Sequence, residues 1–293
     1  MKDLKLNSIQ DLKNEGKSFY WASFFLPSKS KKKAATLYSI CRYFDNIADK
    51  DDQDNSLFLI DSIEKIKKNK DNKVNIFLQT NNIDMHIFSD LIDGFIADQK
   101  NIIIKNKNEL IKYSYHVAGT VGLMMSKIIG VENKNATSCA IDLGIAMQLT
   151  NIVRDVHEDA KMQRIYLPSE WIPDINLLML SGKSEINLEQ EKNITNAIYK
   201  VINLSEKFYY NGFAGLKYIP ARARLGILIA SNVYRGIGIK IKKNGKKYLK
   251  KRAHLNSLEK TLITLKSIII FMLLPFINYK YSKLRELLPN ENL

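Results

Sequence analysis

Residues 142–159 read DLGIAMQLTNIVRDVHED. The first part is almost wholly apolar, and the second carries polar groups one helical turn apart. At about 100° per residue, a helix places Gln148, Asn151, Asp155 and Asp159 within about 80° of arc. Glu158 lies at the edge of that face and Arg154 sits further round. A polar row therefore emerges from an otherwise buried helix, which the pattern extends over 136–161. Oxygen ligands at this spacing suit Mg²⁺, a hard cation that commonly joins a few carboxylates to substrate phosphates.

A second row lies about 110 residues upstream. The segment 31–49 has helical periodicity and ends in Asp45-Asn46-Ile47-Ala48-Asp49. Asp45 and Asp49 fall about 40° apart on one face, and Tyr38 and Arg42 lie within about 60° of the same line. Two carboxylates one turn apart repel by a few tenths of a kcal/mol, so a cation between them makes chemical sense. Further helices are expected at 56–67, 84–104, 109–129, 188–215, 220–241 and 255–274. Connectors are expected at 50–55, 67–75, 105–108, 164–173 and 181–192. Within 109–129 the small residues Ala118, Gly119 and Gly122 predict a kink or a close helix approach, because a mid-helix glycine costs about 1 kcal/mol. No alternating strand pattern persists and no repeat is found. The expectation is an all-α chain, one helical domain over 1–293 with a central cavity.

Composition narrows the partners. Lys+Arg 45 against Asp+Glu 30 gives a net charge of +15, which favours anionic partners. No basic–aromatic stripe accompanies it, so nucleic acid is not expected. Only Cys41 and Cys139 are present, which excludes a disulfide scaffold or cysteine-rich zinc module and fits a reducing compartment. The N-terminal MKDLKLNSIQDLKNEG has no apolar core of a secretory signal. The one membrane-like stretch, SIIIFMLLPFINY at 267–279, is shorter than the roughly 20 residues of a span and is broken by Pro275. These features predict a cytoplasmic protein with peripheral contact at the inner face of the membrane. The contact would use 261–279 and the basic run Lys242, Lys243, Lys246, Lys247, Lys250 and Lys251.

The segment AIDLGIAMQLTNIVRDVHEDAKMQRIYLP resembles the signature of the squalene/phytoene synthase family. So do Gly16-Lys17-Ser18-Phe19-Tyr20, LYSICRYFDNIAD at 37–49, YSYHVAGTVG at 113–122, and the run from Phe208 through VYRGIGIK to Lys251-Arg252. The likeness is ordered and covers about 15–265, leaving 266–293 as a C-terminal helix and tail. Within the family, YHVAGTVGLMM, SEW after YLP, and VYRGIGIK are most similar to bacterial phytoene synthases. One departure is Asn46, where the family usually has a second Asp.

The resemblance implies a prenyltransferase that couples two geranylgeranyl diphosphates head to head, through cyclopropyl prephytoene diphosphate, to phytoene. It implies Mg²⁺, with Mn²⁺ as a substitute, held by Asp45, Asp49, Asn151, Asp155 and Asp159, and no requirement for NADPH. Lys17, Ser18, Arg42, Arg154 and Arg252 match positions near diphosphates. Tyr38, Tyr113, Tyr166 and Tyr234 match cavity tyrosines. Phe19, Val117, Ala118, Val121, Gly122 and Gln148 match the cavity wall. Two alternatives stay open: a sibling enzyme making squalene or presqualene diphosphate from farnesyl diphosphate, and a catalytically silent lipid-binding or assembly factor. His116 and His157 are poor matches to Mg²⁺. Gly236-x-Gly238 lacks the strand and third glycine of a dinucleotide site.

Overall fold

The computed structural model describes residues 8–49, 55–99, 102–244, 251–286, 288 and 289. Residues 50–54, where a connector is expected, and the lysines Lys246, Lys247 and Lys250 of the basic run lie outside the described residues, as do residues 1–7. Thirteen α-helices are described: α1 (Ser8–Asn14), α2 (Lys17–Ser23), α3 (Ser28–Ala48), α4 (Ser56–Lys68), α5 (Lys73–Thr80), α6 (Met85–Ala97), α7 (Lys107–Ser114), α8 (Thr120–Ile128), α9 (Thr137–Lys161), α10 (Leu177–Leu180), α11 (Leu188–Ala214), α12 (Ala221–Lys243) and α13 (Ser257–Leu273). The all-α expectation holds: among the described residues the only β-pairing is one isolated bridge.

Helix α9 is the axis of the structure. It packs against α7, α8, α10, α11 and α12, and Ile141, Ile145, Ala146 and Leu149 on it are fully enclosed. The predicted 109–129 helix is continuous but not uniform. Tyr115–Gly119 forms a π turn between α7 and α8, a wide turn that re-aims side chains. The small residues there serve close approach. A Cβ on Gly122 would lie 2.2 Å from the Ala140 carbonyl oxygen, and one on Gly144 2.2 Å from that of Ala118. The backbones of α8 and α9 therefore touch.

Several boundaries differ from the sequence expectation. The helix expected to 104 stops at Ala97. Ile102-Ile103-Ile104 is a β-branched run that favours extended backbone, and Ile103 pairs in parallel with Ile165. Ile104 N–H donates to Ile165 O at 3.0 Å, and Ile165 N–H to Ile102 O at 2.8 Å. The connector 67–75 gives way at Lys73 to α5, whose Asn72 side chain caps Val74 N–H. The loop expected over 181–192 ends at Leu188, where Asn187 and Gln190 form a capping box. Helices α1, α2 and α10 are short and had no periodic signal. The membrane-like stretch is also reassigned. Among the described residues one helix is long and apolar enough to cross a membrane by length and composition, and it is the 134–161 segment containing α9, most of it buried. The 267–279 stretch instead ends α13 and passes into a short 3₁₀ turn at Leu274–Phe276.

Candidate active site

A cavity of about 1040 Å³ runs through the bundle, and every residue singled out above as a candidate site residue lines it. That volume is at or above the top of the roughly 300–1,000 Å³ of ordinary small-ligand pockets. Lys17, Ser18 and Phe19 come from the first turn of α2. Tyr38, Arg42, Asp45 and Asp49 descend the inner face of α3. Tyr113 ends α7, Val117 and Ala118 lie on the π turn, and Val121 and Gly122 begin α8. Gln148, Asn151, Arg154, Asp155 and Asp159 descend α9. Tyr166 follows in the loop, Tyr234 is on α12, and Arg252 precedes α13. Phe19 lies between two tyrosines, its centroid 4.7 Å from Tyr234 and 6.4 Å from Tyr38.

Arginines meet the carboxylates of both rows. Arg42 bonds Asp45 at 2.5 Å and also binds Glu15. Arg164 bonds Asp49 at 2.7 Å. Asp155 takes two cations: Arg154 through Nε at 2.8 Å, and Arg252 through Nε at 2.7 Å. Asp159 has no ion-pair partner among the described residues. Burial, and next the neighbouring Asp155, raise its pKa well above the usual carboxylate range. Burial and then the Asp49 charge lift Asp45 to about 6, with Arg42 opposing. Burial also pushes the Tyr38, Tyr113, Tyr166 and Tyr234 phenols upward, so they stay neutral donors.

The donor set fits a hard divalent cation shared with a phosphate. The Asn151 amide donates from Nδ2 to Gln148 Oε1 at 3.1 Å, while its Oδ1 is buried with no hydrogen-bond partner. A buried acceptor left over in a row of carboxylates is what a cation would complete. No three His, Cys, Asp or Glu side chains form a ready-made cluster among the described residues. The rows are pairs, which suits Mg²⁺ held by one or two carboxylates plus substrate oxygens. The histidines are engaged elsewhere: His116 Nδ1 lies 3.0 Å from Asp90 O, and His157 Nδ1 lies 3.0 Å from Leu180 O.

Three cavity residues went unread in the sequence. Lys260, on the first turn of α13, has its pKa lowered by burial and then by Lys17, so these two cations converge at one wall. Arg164 links α3 to the loop after α9. Asp98 caps the C-terminus of α6 and takes hydrogen bonds from Tyr166 Oη at 2.6 Å and Tyr113 Oη at 3.1 Å. Asp98 gave no signal, because the sequence places it inside a helix expected over 84–104 and the structure ends that helix at Ala97.

The chain matches the squalene/phytoene synthase family over residues 12–259. It is 30% identical over 275 residues to a phytoene synthase of Pseudescherichia vulneris, with 87% of each chain covered. It is 31% identical over 265 residues to a phytoene synthase of Thermus thermophilus, covering 87% of this chain and 89% of that one. Among solved structures it is similar to a dehydrosqualene synthase in complex with ligand. That match has a TM-score of 0.77, 24% identity, and covers 92% of this chain and 97% of the other. A squalene synthase of Alicyclobacillus acidocaldarius superposes with a TM-score of 0.69 at 18% identity, covering 82% and 92%. At these identities the structural likeness speaks for the fold.

Proposed function

The chain belongs to the squalene/phytoene synthase family, and on that premise we propose that it is a phytoene synthase, joining two geranylgeranyl diphosphates head to head. The observation that carries this reading is one cavity of about 1040 Å³ whose walls hold both aspartate rows together with apolar side chains such as Phe19, Val117, Val121 and Met147. Asp45, Asp49, Asn151, Asp155 and Asp159 would hold the divalent cations, Mg²⁺ or Mn²⁺. When bound, such ions supply Lewis-acid pull on a departing diphosphate.

The chain's own residues supply the rest. Arg42, Arg154, Arg252, Lys17 and Ser18 bind and orient the diphosphates, with fixed positive charge where negative charge develops. Phe19, Val117, Ala118, Val121, Gly122 and Gln148 line the cavity and keep water from the allylic cation. Tyr38, Tyr113, Tyr166 and Tyr234 present neutral phenols and aromatic faces to it. Attack by the second substrate's double bond leaves a tertiary cation, and loss of a proton from that substrate's C1 closes the ring to give the cyclopropyl diphosphate. A second ionisation, rearrangement and proton loss give the C40 triene core of phytoene. That last step releases a proton and consumes no hydride.

The test is incubation of purified protein with Mg²⁺ and either the C15 or the C20 diphosphate, with and without NADPH. A C40 product from the C20 substrate, at a yield indifferent to NADPH, is expected. A product formed only with NADPH, or strong preference for C15, moves the protein to the squalene branch. Absence of any product from either substrate leaves only the non-catalytic reading.

We also propose that α13 docks the enzyme on anionic lipid. Its exposed face carries Leu258, Leu262, Leu265, Ile269 and Met272, with Phe276 just beyond. Exposed Lys266 lies on the same helix, and exposed Lys242, Lys243 and Lys251 on the segments before it. A water-insoluble hydrocarbon product needs an apolar destination, and Lys260 at the base of α13 also lines the cavity.

A further inference from the structure

Asp98 is a buried carboxylate, 8% exposed, with no ion pair among the described residues. Removing such a group from water costs several kcal/mol. Asparagine would fill the same space with less penalty, so a stability role explains it poorly. What surrounds it is chemically specific. Each carboxylate oxygen accepts from one phenol: Oδ1 from Tyr166 at 2.6 Å and Oδ2 from Tyr113 at 3.1 Å. The two rings stack, with centroids 4.6 Å apart and planes 22° from parallel. Arg164 Nε donates to the Asp98 carbonyl at 3.2 Å while its Nη1 holds Asp49 of the first row. Asp98 also lies within electrostatic reach of Asp45 in that row and Asp159 in the other. All three residues of the unit, Asp98, Tyr113 and Tyr166, line the cavity.

We propose that Asp98 is a positioning residue for the coupling reaction: its carboxylate fixes the stacked Tyr113–Tyr166 pair at the cavity wall by both aspartate rows and keeps the phenols electron-rich, so that the pair faces the allylic cation. A phenol that donates to a carboxylate gains electron density in its oxygen and ring. The ring face then attracts positive charge more strongly. The same hydrogen bonds occupy both O–H groups, so neither is drawn to the diphosphates. Asp98 thus acts through the tyrosines and touches neither substrate nor metal.

This inference rests on the reading of the protein as a prenyl-coupling enzyme. The experiment is a double-mutant cycle of Asp98→Asn and Tyr166→Phe, assayed with the C20 diphosphate over a Mg²⁺ series, with Tm measured for each protein. Asp98→Asn keeps the shape but offers only one acceptor oxygen, so one phenol loses its partner. Expected is a fall in kcat of roughly 10–30-fold, the size of one desolvated cation–π contact, with KM and the half-saturating Mg²⁺ concentration unchanged. The double variant should be no worse than the poorer single variant, the signature of groups acting as one unit. Multiplicative losses, a raised KM at constant kcat, or a shifted Mg²⁺ requirement would each overturn the proposal. So would a lowered Tm with kcat intact. If Asp98→Asn does not fold, Tyr166→Phe alone decides by the same kcat, KM and Mg²⁺ criteria. Wild-type protein that forms no product sinks the functional reading; an active wild type matched by Asp98→Asn sinks only this inference.

Discussion

Helices α9 and α13 both read as apolar in the sequence, and they turn that apolarity in opposite directions. On α9 the aliphatic side chains are enclosed, and the polar row Gln148, Asn151, Asp155 and Asp159 faces an internal cavity. On α13 the buried residues are Thr264 and Ser267. Thr264 Oγ1 accepts from Trp21 Nε1 at 3.0 Å, and Ser267 Oγ from Asn232 Nδ2 at 3.0 Å. Five of its aliphatic side chains point outward, from 50% to 67% exposed at Leu258, Leu262, Leu265, Ile269 and Met272, while Ile263 and Ile270 pack against the core. Composition cannot separate these cases; the partner offered to each face does.

The largest effect should fall on the α9 cavity face. Asp155→Ala is expected to lower turnover on the order of 10³-fold or more, the scale seen when a preorganised charge is removed from an active site. Asp45→Ala on α3 should do the same, with helical content by circular dichroism unchanged in both. The two differ in stability. Removing Asp155 strands Arg154, whose side chain is only 15% exposed, and frees Arg252. Removing Asp45 leaves Arg42 with Glu15 and discharges a carboxyl that burial had penalised. Asp155→Ala should therefore have the lower Tm. Full activity in both variants would sink the site assignment.

Next come the glycine contacts on each side of the comparison. Gly144→Ala places a Cβ against the Ala118 backbone, which cannot move without shifting α8. A cost of about 3 kcal/mol is expected, with activity lost as the polar row shifts. Gly236→Ala on α12 meets the Ile263 Cδ1 of α13 at 2.6 Å. That atom is the end of a flexible side chain, so the cost should stay below about 1.5 kcal/mol. Thermal melts of both variants check the order, and equal losses would contradict it.

The acids of the two environments should titrate with opposite sign. Asp98, inside, is raised to about 6, chiefly by burial. Its folded form binds a proton more tightly than the unfolded chain. The stability it contributes is present at low pH and lost as pH rises from about 4 through 6. Glu259 of α13 is lowered, first by its hydrogen bond from Lys240. Its contribution is present at neutral pH and lost as the solution is acidified. The Tm of wild type minus that of Asp98→Asn should therefore fall between pH 4 and 7. The same difference for Glu259→Gln should rise. Parallel trends would show that the cavity wall and the outer helix do not differ in this way.

The sequence carried the cavity face further than the fold's edges. Period and spacing alone aligned Tyr38, Arg42, Asp45 and Asp49, and then Gln148, Asn151, Asp155 and Asp159, because a helix converts spacing directly into a face. Tyr113, Tyr166, Tyr234 and Arg252 needed the family likeness, since they arrive from separate elements. Asp98 and Arg164 escaped both routes. They meet only because 102–104 turns extended and pairs beside Ile165, a long-range event with no local period. The exposure of α13 was legible only as an expectation drawn from the apolar stretch and the basic run beside it, because its apolar residues repeat with the same spacing as those of any core helix.

The smallest effect on chemistry, and the sharpest on location, should come from that exposed face. Leu262→Lys with Ile269→Lys replaces two apolar contacts that touch little of the core. In detergent, kcat should stay within about twofold of wild type, as for surface changes of under ~0.5 kcal/mol. Binding to vesicles is another matter. Each lysine near an anionic surface contributes about 1 kcal/mol, and the apolar face adds burial in the headgroup region. Neither signal holds firmly alone, so the wild type should bind anionic vesicles reversibly and release as salt rises. The double variant gains two cations yet loses the apolar insertion. It should still bind at low salt but release at a lower salt concentration than wild type. Co-sedimentation with phosphatidylserine-containing vesicles across a salt series measures this. No wild-type binding at low salt ends the idea that α13 faces lipid. Wild-type binding that survives high salt and alkaline carbonate indicates an integral segment, and the contrast with α9 would then have to be redrawn.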